Sequence, residues 1–363
     1  MEKLQKSVLK FFFVFRFGGN TMKIMIEKSL LKEFESIEKA TWTQAGKHLE
    51  TRTDKKGHLI HKWISNDKNR PSPKHKGSQE LLDFLYSSNS IKKGFRDGTK
   101  GVQPSDSIEE VWKQCQEATK SFSDFSEDVK QKAIAIKPVL VKRKELKGQE
   151  RAKEKLWDDE KDNRAKNNII GVYVEGDSYK DPNAVFHAET LRDVDGHTFC
   201  CKTVQDVAKM LRYFDKQPNI IRIKNNFATP SPVGYSDINM NIRLPNGTIG
   251  EIQLNTTANM VAKNVYGHSC YEVYRSVKSD PKYKNLANLM GNAQKKLYRM
   301  SNELSKNGKF PDTEDVFGYK YEPYANAIRG DVRAALPEIE LAHNEKKIDD
   351  KTYKHVQELL EKL

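Results

Sequence analysis

Apolar and polar residues alternate along three consecutive stretches in the middle of the chain: Ile220–Phe227, Asp237–Leu244 and Thr248–Leu254. Alternation is typical of β-strands with one buried face, because successive strand side chains point to opposite sides. The second and third stretches are separated by residues 245–247, which contain Asn-Gly, a dipeptide that favours a tight antiparallel hairpin. The pattern therefore predicts a sheet built around these three strands.

One face of this predicted sheet carries polar side chains. Its members are Arg222, Lys224, Asn239, Asn241, Glu251 and Gln253. The opposite face carries apolar residues such as Ile238, Met240 and Ile252. A carboxylate beside amides and cations is costly inside a core, but it suits the binding of phosphate and of a metal ion. We therefore expect the polar face to be the functional surface.

Apolar residues at helical spacing predict helices before and after these strands. The predicted helices are Ile26–Ala40, Ser78–Asn89, Ile108–Ala118, Ser126–Leu156 with a break or kink at Pro138, Tyr179–Asp193, Thr203–Phe214, Thr256–Val277, Lys284–Lys306 and Asp349–Leu363. A further strand is expected at Asn168–Glu175, and a small hairpin with its turn at Asp54–Gly57. These elements predict an α+β fold, with a mixed central β-sheet flanked by helices and a basic, mainly helical N-terminal region.

The composition favours a reducing compartment and polyanionic partners. The chain has 363 residues, a formal net charge of +13 and four cysteines without C-x-x-C spacing. Such a charge attracts nucleotides, tRNA or other RNA, although a lysine-rich surface on any soluble protein gives the same balance. No apolar run reaches the length of a membrane span, so we expect a cytoplasmic protein without membrane contact. The cysteine spacing argues against a disulfide framework.

Four short motifs occur in a fixed order between residues 222 and 271. They are Arg222-Ile-Lys224, Pro230-Ser-Pro-Val-Gly234-Tyr235, Glu251-Ile-Gln253 and His268-Ser-Cys-Tyr271. In this order and spacing they resemble the synthetase domain of RelA/SpoT-type alarmone synthetases, over roughly Asn163 to Tyr274. The resemblance implies a nucleotidyltransferase-like fold and a pyrophosphokinase. Such an enzyme would transfer pyrophosphate from ATP to a 3′-hydroxyl of GDP or GTP, of an adenosine nucleotide, or of the 3′ end of tRNA.

The resemblance also implies roles for individual residues. Glu251 would be a metal ligand or the general base, Gln253 would fix its carboxylate, and His268 would face the acceptor from the neighbouring helix. The residues implied in nucleotide or phosphate binding are Arg164, Lys166, Arg222, Lys224, Tyr235, Asn239 and Lys263, with Tyr235 stacking on the acceptor base. The implied cofactor is Mg²⁺, held by Glu251 together with Glu175 or Asp177.

Two segments depart from the family pattern. Where alarmone synthetases have D-I-x-G-x-R, this chain has Asn168-Ile-Ile-Gly171-Val-Tyr173, so the acid and the arginine are replaced. Asparagine carries no charge and is a weaker Mg²⁺ ligand than aspartate, so either Glu175 or Asp177 substitutes for the acid or the metal site is degenerate. The usual G-Y-x-S-L-H segment reads Gly234-Tyr-Ser-Asp-Ile-Asn239, a form that resembles divergent, toxin-like or phage-associated members.

The same patterns divide the chain into four segments. Residues 1–25 are expected to lack structure of their own or to precede the true start, residues 26–120 form an accessory region, residues 121–310 form the synthetase-like domain, and residues 311–363 form a helical tail. The accessory region would bind a protein partner or deliver the substrate.

Two other functions remain open at this point. The chain could be a catalytically inactive nucleotide- or RNA-binding module that keeps the sheet, which the replaced residues Asn168 and Tyr173 favour. Alternatively, it could be an interaction protein associated with a phage or mobile element, whose N-terminal hairpin and helices perform the main function.

Overall fold

The computed structural model divides the chain into two compact units, residues 1–81 and residues 82–363. The structure describes the backbone of residues 10–17, 20–27, 48–53, 59–64, 73–87, 94–96, 101–165, 174–176 and 178–363. It describes the side chains of residues 79–87, 94–96, 101–161, 176 and 178–363.

The first unit contains two antiparallel hairpins and the beginning of a helix. Its elements are β1 (Lys10–Phe17), β2 (Asn20–Glu27), β3 (His48–Thr53), β4 (Leu59–Ile64) and α1 (Pro73–Tyr86). The pairing of β3 with β4 is the small hairpin expected from the sequence, although its turn lies outside the described residues. The pairing of β1 with β2 was not expected, since the sequence predicted no structure before residue 26. The helix predicted at Ile26–Ala40 falls mostly outside the described residues.

The second unit is built on a five-stranded sheet with the strand order β5-β8-β11-β10-β9. The strands are β5 (Val139–Lys142), β8 (Gly196–Cys201), β9 (Ile220–Asn225), β10 (Ile238–Arg243) and β11 (Ile249–Thr256), and a separate short pair is formed by β6 (Val174–Glu175) and β7 (Val185–Phe186). β8 and β11 run parallel, whereas the other neighbours are antiparallel. The predicted mixed sheet and its hairpin of β10 and β11 are therefore confirmed.

Two of the five strands were missed in the sequence, and two predicted helices are wrong in consequence. The helix expected over Ser126–Leu156 ends at Lys132 and is followed by β5, because Pro138 cannot continue a helix. The helix expected over Tyr179–Asp193 is replaced by β7 and a short 3₁₀ turn. β8 comes next in the chain and lies between β5 and β11 in the sheet. Pairing on both sides stabilises this segment of six residues as a strand.

Helices flank this sheet. They are α2 (Ile108–Lys132), α3 (Gln149–Ala165), α4 (Val204–Asp215), α5 (Thr257–Val261), α6 (His268–Val277), α7 (Lys284–Asn307), α8 (Glu322–Asn344) and α9 (Asp350–Leu360), with 3₁₀ turns at Ala188–Thr190 and Pro281–Tyr283 and a π-helical turn at Ala262–Gly267. Within the described part of the chain, no helix is long and apolar enough to cross a membrane.

The C-terminal helices share one core with the helices that come after the sheet. α8 was not predicted, because Gly330 and Pro337 interrupt its sequence. Packing overcomes these weak helix formers, since α8 buries Ile328 and Val332 in the same apolar cluster as Leu286 of α7. At the other end, α2 runs without a break across residue 120, where a domain boundary was expected.

The apolar face of the sheet is closed by α2 through a close aromatic contact. The ring of Phe122 stacks on that of His197 in β8, with ring centres 4.0 Å apart, and Ser126 lies 2.7 Å from His197 Nδ1. Burial holds the pKa of His197 down at about 4, so the imidazole is neutral at pH 7. Gly250 of β11 makes this approach possible, because a Cβ there would lie only 2.8 Å from Phe122.

We expect Gly250→Ala to destabilise the protein by about 1–3 kcal/mol, the usual cost of overpacking a well-filled core. A matched control is Gly330→Ala in α8, where the added Cβ meets no atom within 4 Å. That control should be neutral or stabilising, because alanine favours the helix. Urea unfolding of the two variants measures the difference, and an equal stability of both would contradict the contact between Gly250 and Phe122.

Candidate functional site

Glu251 of β11 lies on the polar face of the sheet and is held there by two amide side chains. Asn239 Nδ2 donates to Glu251 Oε1 over 2.5 Å, and Gln253 Nε2 donates to Glu251 Oε2 over 2.8 Å. The carboxylate is half-buried, and no described residue forms an ion pair with it. Each oxygen still has lone-pair capacity for another partner. A half-exposed carboxylate fixed in this way is available to a ligand.

The strand register places both predicted cations on the same face as Glu251. Arg222 of β9 is paired with Asn241 of β10, which is paired with Glu251. One row along the sheet, Lys224 is paired with Asn239, the residue that bonds to Glu251. Two strand spacings separate the backbones of Arg222 and Glu251, or about 10 Å. One ligand lying across β10 could therefore contact the carboxylate and the cations together.

Lys224 and Tyr235 line the same open cleft, which has a volume of about 460 Å³. The remaining lining residues are Asn225, Asn226, Thr229 and Ser231. Lys224 is exposed, and no described side chain forms a hydrogen bond or an ion pair with its ammonium. The cleft thus combines a cation without a protein counter-ion, an aromatic ring and hydroxyl and amide groups, which suits a phosphorylated ligand with a polar ring.

Tyr235 follows Gly234 in the loop between β9 and β10, and several contacts hold its side chain in place. Its hydroxyl donates to Asp237 Oδ2 over 3.1 Å and accepts from Asn255 Nδ2 at 3.2 Å and Lys263 Nζ at 3.3 Å. Burial and the neighbouring Asp237 raise the pKa of this phenol above its usual value. The ring packs edge-on against Tyr298, with centres 5.2 Å apart. Tyr235 is therefore a fixed wall of the cleft, and its stacking on an acceptor base remains a prediction.

Lys263 reaches Tyr235 because the helix after β11 contains a π-helical turn. The ammonium also lies 5.2 Å from the centre of the Tyr235 ring, within cation–π range. A π-helical turn adds a residue to the helix and rotates the preceding side chains relative to those of the next turn. The next residue, Asn264, donates to the carbonyl oxygen of Val316.

His268 is not joined to Glu251 by any contact among the described residues. Its Nε2 lies 3.2 Å from Glu272 Oε1, and the other oxygen of Glu272 is 2.7 Å from His355 Nδ1 on α9. Burial alone would raise the pKa of Glu272, but hydrogen bonds from the two histidines lower it to about 2. His268 therefore belongs to a contact between α6 and α9, and a role toward the acceptor remains a prediction.

The remaining predicted site residues lie in the segment around the end of α3. Arg164 belongs to α3 and Glu175 to β6, but their side chains are outside the described residues, as are Lys166 and Asp177 altogether. Among the residues that the structure describes, no three His, Cys, Asp or Glu side chains are grouped as a metal site requires. Glu251 nevertheless fits as one Mg²⁺ ligand, because Mg²⁺ commonly takes one or two carboxylates and completes its shell with phosphates and water.

Three residues of this region were not found from the sequence. Arg143, just after β5, donates to the carbonyl oxygens of Asp193 at 2.7 Å and Val194 at 2.9 Å and lies beside Gly196, the pairing partner of Glu251. The guanidiniums of Arg192 and Arg222 both lie over the ring of Phe95. The charge of Arg222 also lowers the pKa of Arg192. No sequence signal marks them, because all three lie in loops whose positions depend on tertiary contacts.

No family model matches the sequence, and no curated protein matches it. Solved structures do show similarity. The Type VI effector Tas1, in complex with its immunity protein, has 17% identity and a TM-score of 0.39, over 55% of this chain and 99% of its own. The small alarmone synthetase 1 from Bacillus subtilis, bound to its product pppGpp, has 14% identity and a TM-score of 0.35, over 54% and 92%.

A GTP pyrophosphokinase family protein from Streptococcus pneumoniae has 17% identity and a TM-score of 0.22, over 43% of this chain and 85% of its own. Alarmone synthetases are the family that the motifs resemble. With TM-scores below 0.5, these similarities leave the function to be inferred from the residues of the chain itself.

Proposed function

We propose that the chain is a RelA/SpoT-like pyrophosphokinase, which transfers pyrophosphate from ATP to a 3′-hydroxyl. The acceptor class comprises GDP or GTP, an adenosine nucleotide, or the 3′ end of tRNA. One observation carries the proposal: a half-buried carboxylate, Glu251, is fixed by Asn239 and Gln253 on an open sheet face that also carries Arg222 and Lys224. A structural sheet would not place these groups together without pairing the charges.

The proposed reaction breaks one bond and forms one. The acceptor 3′-oxygen attacks the β-phosphorus of ATP, the bond from that phosphorus to the bridging oxygen of the α-phosphate breaks, and AMP leaves. The proton of the 3′-hydroxyl passes to Glu251 or to solvent. Such transfers are catalysed mainly by positioning and by charge stabilisation, with little covalent chemistry for the protein.

The residues of the polar face have distinct roles in this proposal. Arg222 and Lys224 bind phosphate oxygens, the first through its planar fork and the second as a point charge. The cleft of Lys224 and Tyr235 receives the acceptor, with Lys263 beside the Tyr235 hydroxyl. Glu251, with Glu175 or Asp177, would hold Mg²⁺, which would supply positive charge to stabilise the phosphates during transfer.

A transfer assay tests the function. ATP labelled at the γ-phosphorus is incubated with Mg²⁺ and, separately, with GDP, GTP, AMP, ADP and deacylated tRNA, and the products are separated. The proposal predicts label on one acceptor class together with an equal amount of AMP, and a transfer by Glu251→Gln that is about 10³-fold slower. Release of ADP, or unlabelled acceptors with no AMP from the wild type, would refute it.

A second function is favoured by one observation, the uncharged Asn168 where the family has an acid. Under this alternative the chain binds nucleotide or RNA without turnover. Nucleotide binding that persists in EDTA while no acceptor is labelled would select it over the transferase.

A further inference from the structure

Two arginines contact a single phenylalanine ring beside the polar face. The guanidinium carbon of Arg192 lies 4.9 Å from the centre of the Phe95 ring, and that of Arg222 lies 5.3 Å from the same centre. Both distances are within cation–π range. Since Arg222 is a residue of the polar face, Phe95 and Arg192 extend that face beyond the edge strand β9.

Arg192 is fixed in this position by the segment of residues 101–103. Its Nε donates to the carbonyl oxygen of Gly101 over 2.6 Å. Gly101 has a φ of +62°, and a Cβ there would lie inside the Phe95 ring, so only glycine fits. Two residues on, the Gln103 side chain bonds to both the N–H and the carbonyl of Ile249, the first residue of β11. Arg192 is thereby held near the first residue of β11, the strand that contains Glu251.

Phe95 is fixed independently of the two arginines. The next residue, Arg96, donates through its backbone N–H to the carbonyl oxygen of Ile221 over 2.7 Å. Its guanidinium pairs with the Asp215 carboxylate at 2.5 Å and with the Asp215 carbonyl at 2.9 Å. The ring is therefore anchored next to β9 before any ligand binds, and it holds the neighbouring guanidiniums in place.

The two guanidiniums share one aromatic ring, and their charges act on each other. Burial lowers the pKa of Arg192 and the charge of Arg222 lowers it further, whereas the carboxylates of Asp159 and Asp193 partly offset this. In the described part of the chain, Arg222 forms no ion pair with a carboxylate. A guanidinium that lies over an aromatic ring uses its flat face and keeps its N–H donors for other partners. A phosphate chain between the two would relieve their repulsion and accept from both.

We propose that Arg192 and Arg222 form one binding site for the polyphosphate chain of the donor, and that Phe95 is a positioning residue for both. The identity of the donor as ATP rests on the proposed function, whereas the anion site does not. Neither Arg192 nor Phe95 carries a signal in the sequence.

Inorganic tripolyphosphate tests the site without a nucleotide, by calorimetric titration of the full chain at fixed low salt. Arg192→Gln and Arg222→Gln should each weaken binding about tenfold or more, the usual effect of losing a charge-assisted hydrogen bond. Phe95→Leu should weaken it about three- to tenfold, because two cation–π contacts are lost, and Phe95→Tyr should retain the wild-type affinity. Thermal unfolding confirms that each variant is folded.

A matched control is available in the same molecule. The guanidinium carbon of Arg212 on α4 lies 5.0 Å from the centre of the Phe84 ring. Arg212→Gln and Phe84→Leu remove the same kind of contact and should leave tripolyphosphate binding unchanged. Equal losses in the control variants would show that general charge or stability explains the effect, and would overturn the site.

Two further results would overturn the proposal. One is wild-type binding no tighter than that of the Arg192→Gln, Arg222→Gln double variant. The other is tighter binding by Phe95→Leu, which would show that the ring obstructs the site. If tripolyphosphate binds as expected while the transfer assay labels no acceptor, the anion site stands and the proposed reaction fails.

Discussion

Glu251→Gln should lower kcat of the proposed transfer about 10³-fold, equivalent to about 4 kcal/mol, and leave the fold intact. The activity falls because an amide neither accepts the proton of the attacking hydroxyl nor neutralises a metal ion. The fold survives because the oxygen of the new glutamine still accepts from one neighbouring amide, and the other neighbour, Asn239 or Gln253, can turn its oxygen toward the new NH₂ group. The measurement is steady-state release of AMP with saturating ATP and acceptor, next to a thermal unfolding curve.

The control for this variant is Glu358→Gln on α9. Glu358 lies 4.0 Å from Lys354 in an exposed pair, so its change should alter neither activity nor stability. If Glu251→Gln keeps more than a tenth of the wild-type kcat, Glu251 is not a catalytic residue. If it unfolds instead, the amide network around the carboxylate is structural.

Asp193→Ala should destabilise the second unit by about 2–4 kcal/mol, the largest effect on stability that we expect. Asp193 Oδ2 lies 2.5 Å from Lys147 Nζ, and Oδ1 lies 2.8 Å from Lys155 Nζ of α3. Removing the carboxylate leaves the mostly buried Lys147 without its counter-charge, and breaking such a pair is costly. Urea unfolding at pH 7 gives the difference in free energy.

The effect should also depend on pH in a defined direction. Burial alone would raise the pKa of Asp193, but Lys155 and Lys147 lower it to about 2 in the folded state. A carboxyl group with a depressed pKa stabilises the fold above its unfolded pKa of about 4 and loses that contribution as the pH falls toward 2. The difference between wild type and Asp193→Ala should therefore be constant above about pH 5 and shrink below about pH 4.

An exposed pair supplies the comparison for Asp193. Lys202 lies 2.6 Å from Asp312, but the Asp312 side chain is 85% exposed. Asp312→Ala should cost less than about 1 kcal/mol, because solvent screens such pairs. A similar cost for Asp193→Ala, or a cost that does not change between about pH 5 and about pH 2, would show that Asp193 does not fix α3 to the sheet.

The three strands with clear alternation, β9, β10 and β11, were predicted with their hairpin and their polar face. Local signals were sufficient there, since alternation and an Asn-Gly turn act over a few residues. β5 was missed because it has only four residues, and β8 because its sequence does not alternate regularly; both are stabilised by pairing with distant strands. The same dependence on tertiary pairing explains why the segment before β8 was wrongly predicted as a helix.

The candidate site likewise contains residues that the sequence predicted and contacts that only the structure revealed. Glu251, Gln253, Asn239, Arg222 and Lys224 could be grouped from the sequence, because a period of two residues assigns each strand side chain to a face. The contact of Lys263 with Tyr235 depends on a π-helical turn that no spacing rule gives. His268 was assigned to the acceptor from its motif, whereas in the structure it contacts Glu272, which in turn contacts His355, 83 residues further along the chain.

The sequence by itself determined which side chains share the polar face of β9, β10 and β11, because strand geometry leaves each residue only two directions. The tertiary structure alone decided what surrounds that face. It brought Arg143, from just after β5, beside the strand partner of Glu251, and it brought Arg192 and Phe95 beside Arg222. Contacts between residues so far apart in the chain depend on the packing of the whole unit, which local patterns do not contain.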